Sequence, residues 1–206
     1  MTLSALKSGT DVRGTAVGEN ADLTIEAVSK ITSAFVGFTS EKLGKSTENM
    51  TVSVGHDPRI SSESIKNEVI KVLLSHGVHV LDCSLSSTPA MFMTTVKLSC
   101  DAAVQITASH HPYDKNGLKF FTREGGFESE DIVDILNTAE NIPVFGDKKG
   151  ILEKVDFMSE YSEILCDMIK NGVNAPDFEH PLRGFKIAVD ASNGAGGFYA
   201  YKVLKP

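Results

Sequence analysis

The sequence predicts an α/β fold, a three-layer α/β/α domain with a mixed, mainly parallel sheet. One observation is that short β-branched runs alternate with amphipathic stretches of helical period, as in successive βαβ units. A second is the nearly continuous apolar run from Ala102 to Thr107, which is typical of a strand covered on both faces. A third is composition, because 206 residues with 41% hydrophobic side chains can bury a core of domain size.

The elements between residues 20 and 107 follow from hydrophobic period and capping signals. Asn20 or Asp22 is expected to cap a first helix, and Ser61–Ser62 to open a second helix that Gly77 closes. Thr88–Pro89 is expected to supply the cap and the first residue of a third helix. In chain order these elements are a helix over 27–38, a strand over 51–55, a helix over 61–76, a strand over 78–81, a helix over 88–97 and a strand over 102–107.

The second half of the chain departs from this pattern. A short strand over 117–121, next to glycines, is predicted at a sheet edge or in a hairpin. Ser129 is expected to cap the next helix, and a further helix over 156–171 is expected to end at Gly172. Residues 174–184 carry two prolines and predict an interdomain linker. Lys186–Asp190 is then predicted to form a buried strand.

Two domains are expected from this organisation, one over residues 1–180 and the beginning of a second over 181–206. Phe198–Leu204 is predicted to begin a helix after the Lys186–Asp190 strand. One strand and a partial helix cannot bury a core of their own, so the second domain is expected to be incomplete here. The apolar side chains between residues 186 and 204 would then lie partly uncovered. Self-association through this incomplete domain is therefore expected.

Charge and composition argue against several classes of protein. The chain has 20 Lys and Arg against 27 Asp and Glu, a formal charge of −7, which disfavours nucleic acid as a partner. No apolar run approaches the ~20 residues of a membrane span, and the start of the chain lacks the apolar region of a signal peptide. Cys83, Cys100 and Cys166 are odd in number and widely spaced. A disulfide framework is therefore not expected, and a cytoplasmic location is.

The chemistry is concentrated in the segment Thr107–Pro112, immediately after the third predicted strand. Ser109 is a candidate nucleophile with His110 beside it, and the positively charged Lys119 follows shortly afterwards in the sequence. The G-x-S-x-G pattern of acyl-transfer serines is absent, whereas a serine between cations suits phosphoryl transfer. The alternative is that Ser109 and Asn116–Gly117 are ordinary turn residues, and spacing alone leaves both interpretations open.

Two pairs of histidines are not predicted to bind metal. His76 and His79 lie between a helix and a strand without a matching set of carboxylates or cysteines. His110 and His111 are adjacent in sequence, so their rings are expected to point apart instead of holding one ion.

The segment over residues 107–119, TASHHPYDKNGLK, resembles the phosphoserine loop of the α-D-phosphohexomutases. This family includes phosphoglucomutases, phosphomannomutases and phosphoglucosamine mutases, and its usual form has asparagine where this chain has His111. Three further segments resemble family motifs and occur in the family's order, SGTDVRG at 8–14, GHDPR at 55–59 and DASNGAG at 190–196. The resemblance implies the N-terminal part of an enzyme that interconverts hexose 1-phosphate and hexose 6-phosphate.

The resemblance also implies roles for individual residues. Ser109 would carry the phosphoryl group and exchange it with the sugar phosphate, through a bisphosphorylated sugar. His110 and Lys119 would lie near the transferring group, and Arg13 would contact phosphate. The alternative for Arg13 is an ion pair that braces a loop. For Arg59 such bracing is the favoured interpretation, because an aspartate and a proline directly precede it.

The resemblance implies Mg²⁺ and hexose 1,6-bisphosphate as cofactors. Ser109 would hold the metal through its phosphate, and the family's aspartate loop, which supplies the other ligands, does not occur in these residues. The chain alone is therefore expected to be inactive or nearly so. Two other hypotheses remain. One is a non-catalytic derivative that binds phosphosugars or phosphoproteins, and the other is a serine hydrolase that uses Ser109 and His110.

Overall fold

The computed structural model describes residues 2–192 and 194–205, which form a mixed β-sheet with helices on both faces. Its strands are β1 (Lys7–Ser8), β2 (Asp11–Thr15), β3 (Thr51–His56), β4 (His79–Leu85), β5 (Ala102–Ile106), β6 (Lys115–Thr122), β7 (Gly125–Gly126) and β8 (Ile151–Lys154). Its α-helices are α1 (Ile25–Leu43), α2 (Ser62–Ser75), α3 (Thr88–Lys97), α4 (Ser129–Ala139), α5 (Phe157–Val173) and α6 (Tyr199–Lys202). None of the helices described here has the length and apolar character that a membrane span requires.

The sheet joins a parallel half to an antiparallel half. Its strand order is β1-β2-β6-β5-β3-β4-β8, and β7 pairs with β6. β5, β3, β4 and β8 pair in parallel, whereas β6 is antiparallel to β2, β5 and β7, and β1 is antiparallel to β2. The predicted mixed sheet is confirmed, with parallel pairing confined to one half. The carboxyl ends of β3, β4 and β5 meet at one edge, where ligands bind in open α/β sheets.

Apolar side chains on the two faces of the sheet pack into two separate cores. Val104 belongs to a core with residues of α1, α2 and α4, whereas its neighbour Ala103 belongs to a core with residues of α3 and α5. Successive side chains of a strand point to opposite faces, so the helices lie in two layers on either side of the sheet. In the larger core Phe35 is fully buried and stacks on Phe120 with ring centroids 4.6 Å apart. The predicted three-layer α/β/α architecture is confirmed.

Several predicted helix ends are wrong by a few residues. The observed N-caps of α1, α3 and α4 are Thr24, Ser87 and Glu128, in place of Asn20 or Asp22, Thr88 and Ser129. The Asp22 carboxylate accepts a hydrogen bond from the Thr15 amide, and the cap of α1 is Thr24 Oγ1, which accepts from the Ala27 amide. At the other end of α5, Gly172 lies inside the helix, which continues to Val173 and is capped by Asn174 in the left-handed region at φ 47°. These errors do not change the order of the elements.

The hairpin alternative predicted for residues 117–121 is confirmed, because β6 pairs with β7 in antiparallel fashion with Thr122 opposite Gly125. The edge alternative is wrong. β6 lies inside the sheet between β2 and β5. Its unpredicted partner is β2, in which Val12 pairs with Leu118 and Arg13 pairs with Gly117. Gly117 permits this pairing, because a Cβ atom there would overlap the Val12 carbonyl oxygen and lie 2.9 Å from that of Thr107. β2 thus places residues from the start of the chain, Arg13 among them, at the edge of the sheet where β5 ends.

Lys186–Asp190, predicted to be a buried strand, is neither a strand nor buried. The segment is exposed throughout, with Ile187 at 50% and Val189 at 46% of their full accessibility. Its apolar composition favours burial, but in the part of the chain that the structure describes no strand pairs with it. The proposed division into domains at about residue 180 stays a prediction.

Candidate active site

A cleft of about 740 Å³ opens at the edge where the three central parallel strands end. It is lined by residues 57–60 after β3, residues 86–88 after β4 and residues 109–111 after β5. The other lining residues are Gln105, Thr107, Tyr113, Ser192, Gly194 and Ala195. Convergence of three loops at the carboxyl edge of a parallel sheet is the usual place for a ligand in this class of fold. The segment predicted to carry the chemistry therefore lies in the main cleft of the domain.

Ser109 lies on the surface of this cleft, three residues beyond the end of β5. Its backbone is left-handed at φ 58°, a conformation that L-residues adopt rarely. Its amide donates a hydrogen bond to Thr107 Oγ1 at 2.9 Å. Its own Oγ lies 3.5 Å from His110 Nδ1, at the outer limit of a hydrogen bond. The structure thus presents the Ser109 hydroxyl to the cleft with one imidazole beside it.

The rings of His110 and His111 stack, so the prediction that they point apart is wrong. Their centroids are 5.0 Å apart with 23° between the planes. The cause is a tight turn, in which Ser109 is left-handed and the His111 amide donates to the Ala108 carbonyl at 3.1 Å. Partial desolvation lowers the pKa of His111, and nearby positive charges, of which Arg13 contributes most, lower it further. These effects favour the neutral form of the His111 imidazole over its charged form.

Arg13 and Lys119 share one buried carboxylate, that of Asp11. Asp11 is 5% exposed, and its two oxygens lie 2.6 Å from Lys119 Nζ and 2.7 Å from Arg13 Nη2. Arg13 also donates to the Ala108 carbonyl at 3.4 Å, directly before Ser109. The ion pair considered as the alternative for Arg13 exists, and contact of Arg13 with phosphate stays a prediction. Sequence reasoning missed Asp11, although its spacing of two from Arg13 would have placed both on one strand face.

Arg59 pairs with Asp57, as the bracing interpretation predicted, and the pair extends into the Ser109 loop. Arg59 Nε lies 3.0 Å from Asp57 Oδ2, and the same oxygen accepts a hydrogen bond of 2.7 Å from Thr107 Oγ1. The side chains of Arg59 and Asp57 are only 11% and 16% exposed. The end of β3 is thereby connected to the loop that follows β5.

Asn116 and Gly117 are strand residues of β6, which excludes the interpretation of these two as turn residues. Asn116 is fully buried, and its Nδ2 donates to Ser61 Oγ at 2.9 Å and to Ser62 Oγ at 3.0 Å. Ser62 in turn donates to Asp57 Oδ1 at 2.8 Å. These two serines at the start of α2 were predicted only as a helix opening. They complete a polar network beneath the Ser109 loop.

Residues 2–192 and 194–205 contain no group of three or more His, Cys, Asp or Glu side chains that could hold a metal ion. His76 bonds to Ser33 Oγ at 2.9 Å, and burial lowers the pKa of its imidazole. Burial also raises the thiol pKa of Cys83 to about 12 and that of Cys100 to about 11, so both are inert at neutral pH.

The motifs of this cleft are matched by a known protein family. A family model described as phosphoglucomutase/phosphomannomutase, alpha/beta/alpha domain I, matches residues 5–142. The chain belongs to the phosphoglucomutase/phosphomannomutase family. The match includes the Arg13 strand, the Asp57–Arg59 turn and the whole Ser109 loop. The resemblance of the sequence to the α-D-phosphohexomutases is thereby confirmed.

Curated relatives and solved structures agree with this membership. A phosphoglucosamine mutase of Shouchella clausii is 32% identical over 203 residues, which are 95% of this chain and 42% of that protein. A phosphoglucosamine mutase of Pediococcus pentosaceus is 34% identical over 205 residues, again 95% of this chain and 42% of the relative. The chain thus spans about two fifths of the length of these family members.

Solved structures of the phosphoglucomutase/phosphomannomutase family share the fold. A family protein from Burkholderia thailandensis superposes with a TM-score of 0.67 at 23% identity, covering 82% of this chain and 37% of that one. The pp63/parafusin phosphoglucomutase of Paramecium superposes with a TM-score of 0.68 at 17% identity, covering 97% of this chain and 40% of that one. The architecture is therefore that of known family members.

Proposed function

We propose that this chain carries the phosphoryl-transferring serine of a phosphohexomutase that interconverts hexose 1-phosphate and hexose 6-phosphate. The observation that supports this most directly is the exposed, left-handed Ser109 in the cleft at the end of β5. Membership of the phosphoglucomutase/phosphomannomutase family supports the same reaction. In this proposal Ser109 is the catalytic residue, with His110, Lys119 and Arg13 around the transferring group.

The reaction is an exchange of one phosphoryl group at Ser109. In the first half the bond between phosphorus and Ser109 Oγ breaks, and a bond to a hydroxyl oxygen of the hexose phosphate forms. The sugar hydroxyl gives up its proton, Ser109 Oγ gains one, and the product is a hexose bisphosphate. In the second half the other phosphoryl group of the bisphosphate returns to Ser109. His110 Nδ1, at 3.5 Å from Ser109 Oγ, is the proposed partner for the serine proton.

Charge beside the Ser109 loop suits a phosphate, although Arg13 and Lys119 are not among the residues that line the cleft. A phosphoserine carries a charge of about −1.5 to −2. Arg13 and Lys119 bring two positive charges against the single carboxylate of Asp11, which leaves one in excess beside the loop. Because phosphoryl transfer depends almost wholly on positioning and on stabilisation of charge, preplaced cations are the main contribution that protein residues make.

Mg²⁺ and hexose 1,6-bisphosphate are the proposed cofactors. Bound Mg²⁺ supplies positive charge to the transferring phosphoryl oxygens. In the described part of the chain Ser109, through its phosphate, would be one ligand, and no cluster of side chains there completes a metal site. The described residues do not fit a metal site on their own. The positive charge that this chain itself brings to the phosphate is therefore that of its own cationic side chains. We further propose hexose phosphate as the substrate class and the cytoplasm as the location.

A serine hydrolase receives no support from the cleft. A hydrolytic serine needs a histidine held by an acid. Among the described residues the histidines paired with carboxylates are His79 and His180, both away from the cleft. Among the described residues, the His110 ring lies within hydrogen-bond distance of Ser109 Oγ and stacks on the His111 ring, and no carboxylate pairs with it. The arrangement therefore lacks an oriented base.

The proposal is tested by the site at which the chain accepts phosphate. The protein is incubated with glucose 1,6-bisphosphate, and the modified peptides are mapped by mass spectrometry in wild type, Ser109→Ala and Ser84→Ala. Ser84 is a matched control because it is also exposed and left-handed, at φ 52°, but neighbours Asp82 instead of cations. Phosphate on Ser109 is expected in wild type and in Ser84→Ala, and no phosphate is expected in Ser109→Ala. Phosphate on Ser61 or Ser62 with none on Ser109 would contradict the proposal, and tight binding of the bisphosphate without transfer would favour the non-catalytic derivative.

A further inference from the structure

The guanidinium of Arg59 binds four backbone carbonyl groups of the Ser109 loop. Nη2 lies 2.7 Å from the Ser109 oxygen and 2.8 Å from that of His111. Nη1 lies 2.6 Å from the Pro112 oxygen and 3.0 Å from that of Lys115. The planar guanidinium thus holds carbonyl groups at both ends of the Ser109 loop. Arg59 itself follows β3, whereas the loop follows β5.

The remaining donor of Arg59, Nε, is connected to Ser109 through a second series of hydrogen bonds. Nε donates to Asp57 Oδ2 at 3.0 Å, and this oxygen also accepts the Thr107 hydroxyl at 2.7 Å. Thr107 Oγ1 then accepts the Ser109 amide at 2.9 Å. The amide and the carbonyl of Ser109 are therefore both connected to the Arg59–Asp57 pair.

We propose that Arg59 is a positioning residue that fixes Ser109 in its left-handed conformation and thereby aims its hydroxyl at the phosphoryl group. This inference rests on the proposed function of Ser109. A residue with a Cβ atom does not hold φ 58° without support from its surroundings, and the hydrogen bonds at both sides of Ser109 supply that support. Because all five N–H donors of Arg59 are engaged, its guanidinium has none left for a phosphate. Its role thus differs from that proposed for Arg13.

The geometry also explains why lysine cannot replace this arginine. An ammonium group has the same charge, but its three donors radiate from one atom and cannot span four carbonyls and a carboxylate. Arg59→Lys therefore removes the positioning while keeping the charge. Arg123→Lys is the matched control, because Arg123 is exposed and follows the far end of β6.

The first test compares rates of phosphate uptake at Ser109 from glucose 1,6-bisphosphate. In Arg59→Lys the maximal rate is expected to fall about 10- to 100-fold, the range in which a small misplacement of a reacting group acts. The half-saturating bisphosphate concentration is expected to stay unchanged, since Arg59 does not bind the ligand, and Arg123→Lys is expected to match wild type. In Arg59→Ala, added methylguanidinium is expected to restore uptake and methylammonium is not. An unchanged maximal rate in Arg59→Lys, or equal rescue by both ions, would overturn the proposal.

The second test does not depend on phosphate transfer. The ¹³Cα and ¹³Cβ chemical shifts of Ser109 report whether its backbone is left-handed, and circular dichroism confirms that each variant is folded. Wild type and Arg123→Lys are expected to show left-handed shifts, and Arg59→Lys to move toward extended values. If wild type takes up no phosphate at all, the proposed function fails, and these shifts still decide whether Arg59 positions Ser109. Identical Ser109 shifts in wild type and Arg59→Lys would show that it does not.

Discussion

Asp11 Oδ1 lies 2.6 Å from Lys119 Nζ, across the antiparallel pairing of β2 with β6. The other oxygen of Asp11 holds Arg13, so one buried carboxylate fixes both cations beside the Ser109 loop. In the proposed function, a phosphate arriving at Ser109 would meet positive charges that are already in place. This preorganisation is the part of the electrostatic environment that the chain supplies by itself.

Replacing Asp11 by asparagine tests this relationship. Asp11→Asn leaves two partly buried cations without a counter-ion and is expected to lower the free energy of unfolding by about 2–4 kcal/mol in phosphate-free buffer. Inorganic phosphate is expected to restore part of the loss, because an anion that binds only the folded chain stabilises it. Denaturant titration with and without phosphate measures both effects. Asp147→Asn, at an exposed aspartate, is the control, and equal losses in the two variants would contradict the account.

The location of the site could be predicted from the sequence, whereas its inner connections could not. The apolar strand before Ser109 and the cations after it place a polar loop at a strand end, which the structure confirms. Asp11 was missed because Asp-Val-Arg-Gly-Thr contains one large apolar residue and shows no strand period. Without β2 as a neighbour, the sequence predicts β6 at an edge or in a hairpin, and only the hairpin with β7 is confirmed. The burial of Lys186–Asp190 was wrongly predicted for a related reason, since burial of a strand depends on partners that local sequence does not reveal.

The pKa of His111 gives a prediction about acid stability. Because this pKa is lowered in the folded chain, the unfolded chain takes up the proton first as the pH falls below about 6.5. The free energy of unfolding is therefore expected to decline with acidification in this range, and His111→Gln is expected to make the decline shallower. Histidine NMR titration is the direct measurement. A midpoint for His111 at or above its ordinary value would contradict the prediction, and phosphate on Ser109 is expected to raise the midpoint.

Gly117 gives a prediction about the packing beneath the loop. Gly117→Ala places a Cβ atom against the Val12 and Thr107 carbonyl oxygens, which are backbone atoms and cannot move aside as a side chain would. A destabilisation of about 1–3 kcal/mol is expected in thermal or denaturant unfolding. Gly37→Ala is the control, because Gly37 lies in α1 with open space around it. There alanine is expected to stabilise by about 0.5–1 kcal/mol, and a stable Gly117→Ala would show that β2 and β6 approach less closely.

The exposed apolar residues near the end of the described chain predict self-association. Phe185, Ile187 and Val189 are exposed at 69%, 50% and 46%. Apolar surface of this kind promotes association, so the sedimentation coefficient is expected to rise with protein concentration. The double variant Ile187→Lys and Val189→Lys is expected to sediment as a monomer over the same range. Concentration-independent sedimentation of the wild-type chain would rule out this association.

Catalytic turnover by these 206 residues alone is expected to be low. Phosphoryl transfer needs charge stabilisation beyond two cations, and the described residues hold no cluster that fixes a metal. Coupled conversion of glucose 1-phosphate to glucose 6-phosphate with added Mg²⁺, in wild type and Ser109→Ala, measures this. Rapid turnover that depends on Ser109 would show that the cleft described here suffices for the full reaction.

A single-turnover transfer from Ser109 to a sugar tests whether this serine exchanges phosphate with hexose. The chain phosphorylated at Ser109 is isolated, mixed with glucose 6-phosphate and followed by ³¹P NMR. We expect the phosphoserine resonance to decrease while glucose 1,6-bisphosphate increases by the same amount. Release of the phosphate only as inorganic phosphate, with no glucose 1,6-bisphosphate formed, would contradict the assignment of Ser109 as the residue that carries phosphate to and from hexose.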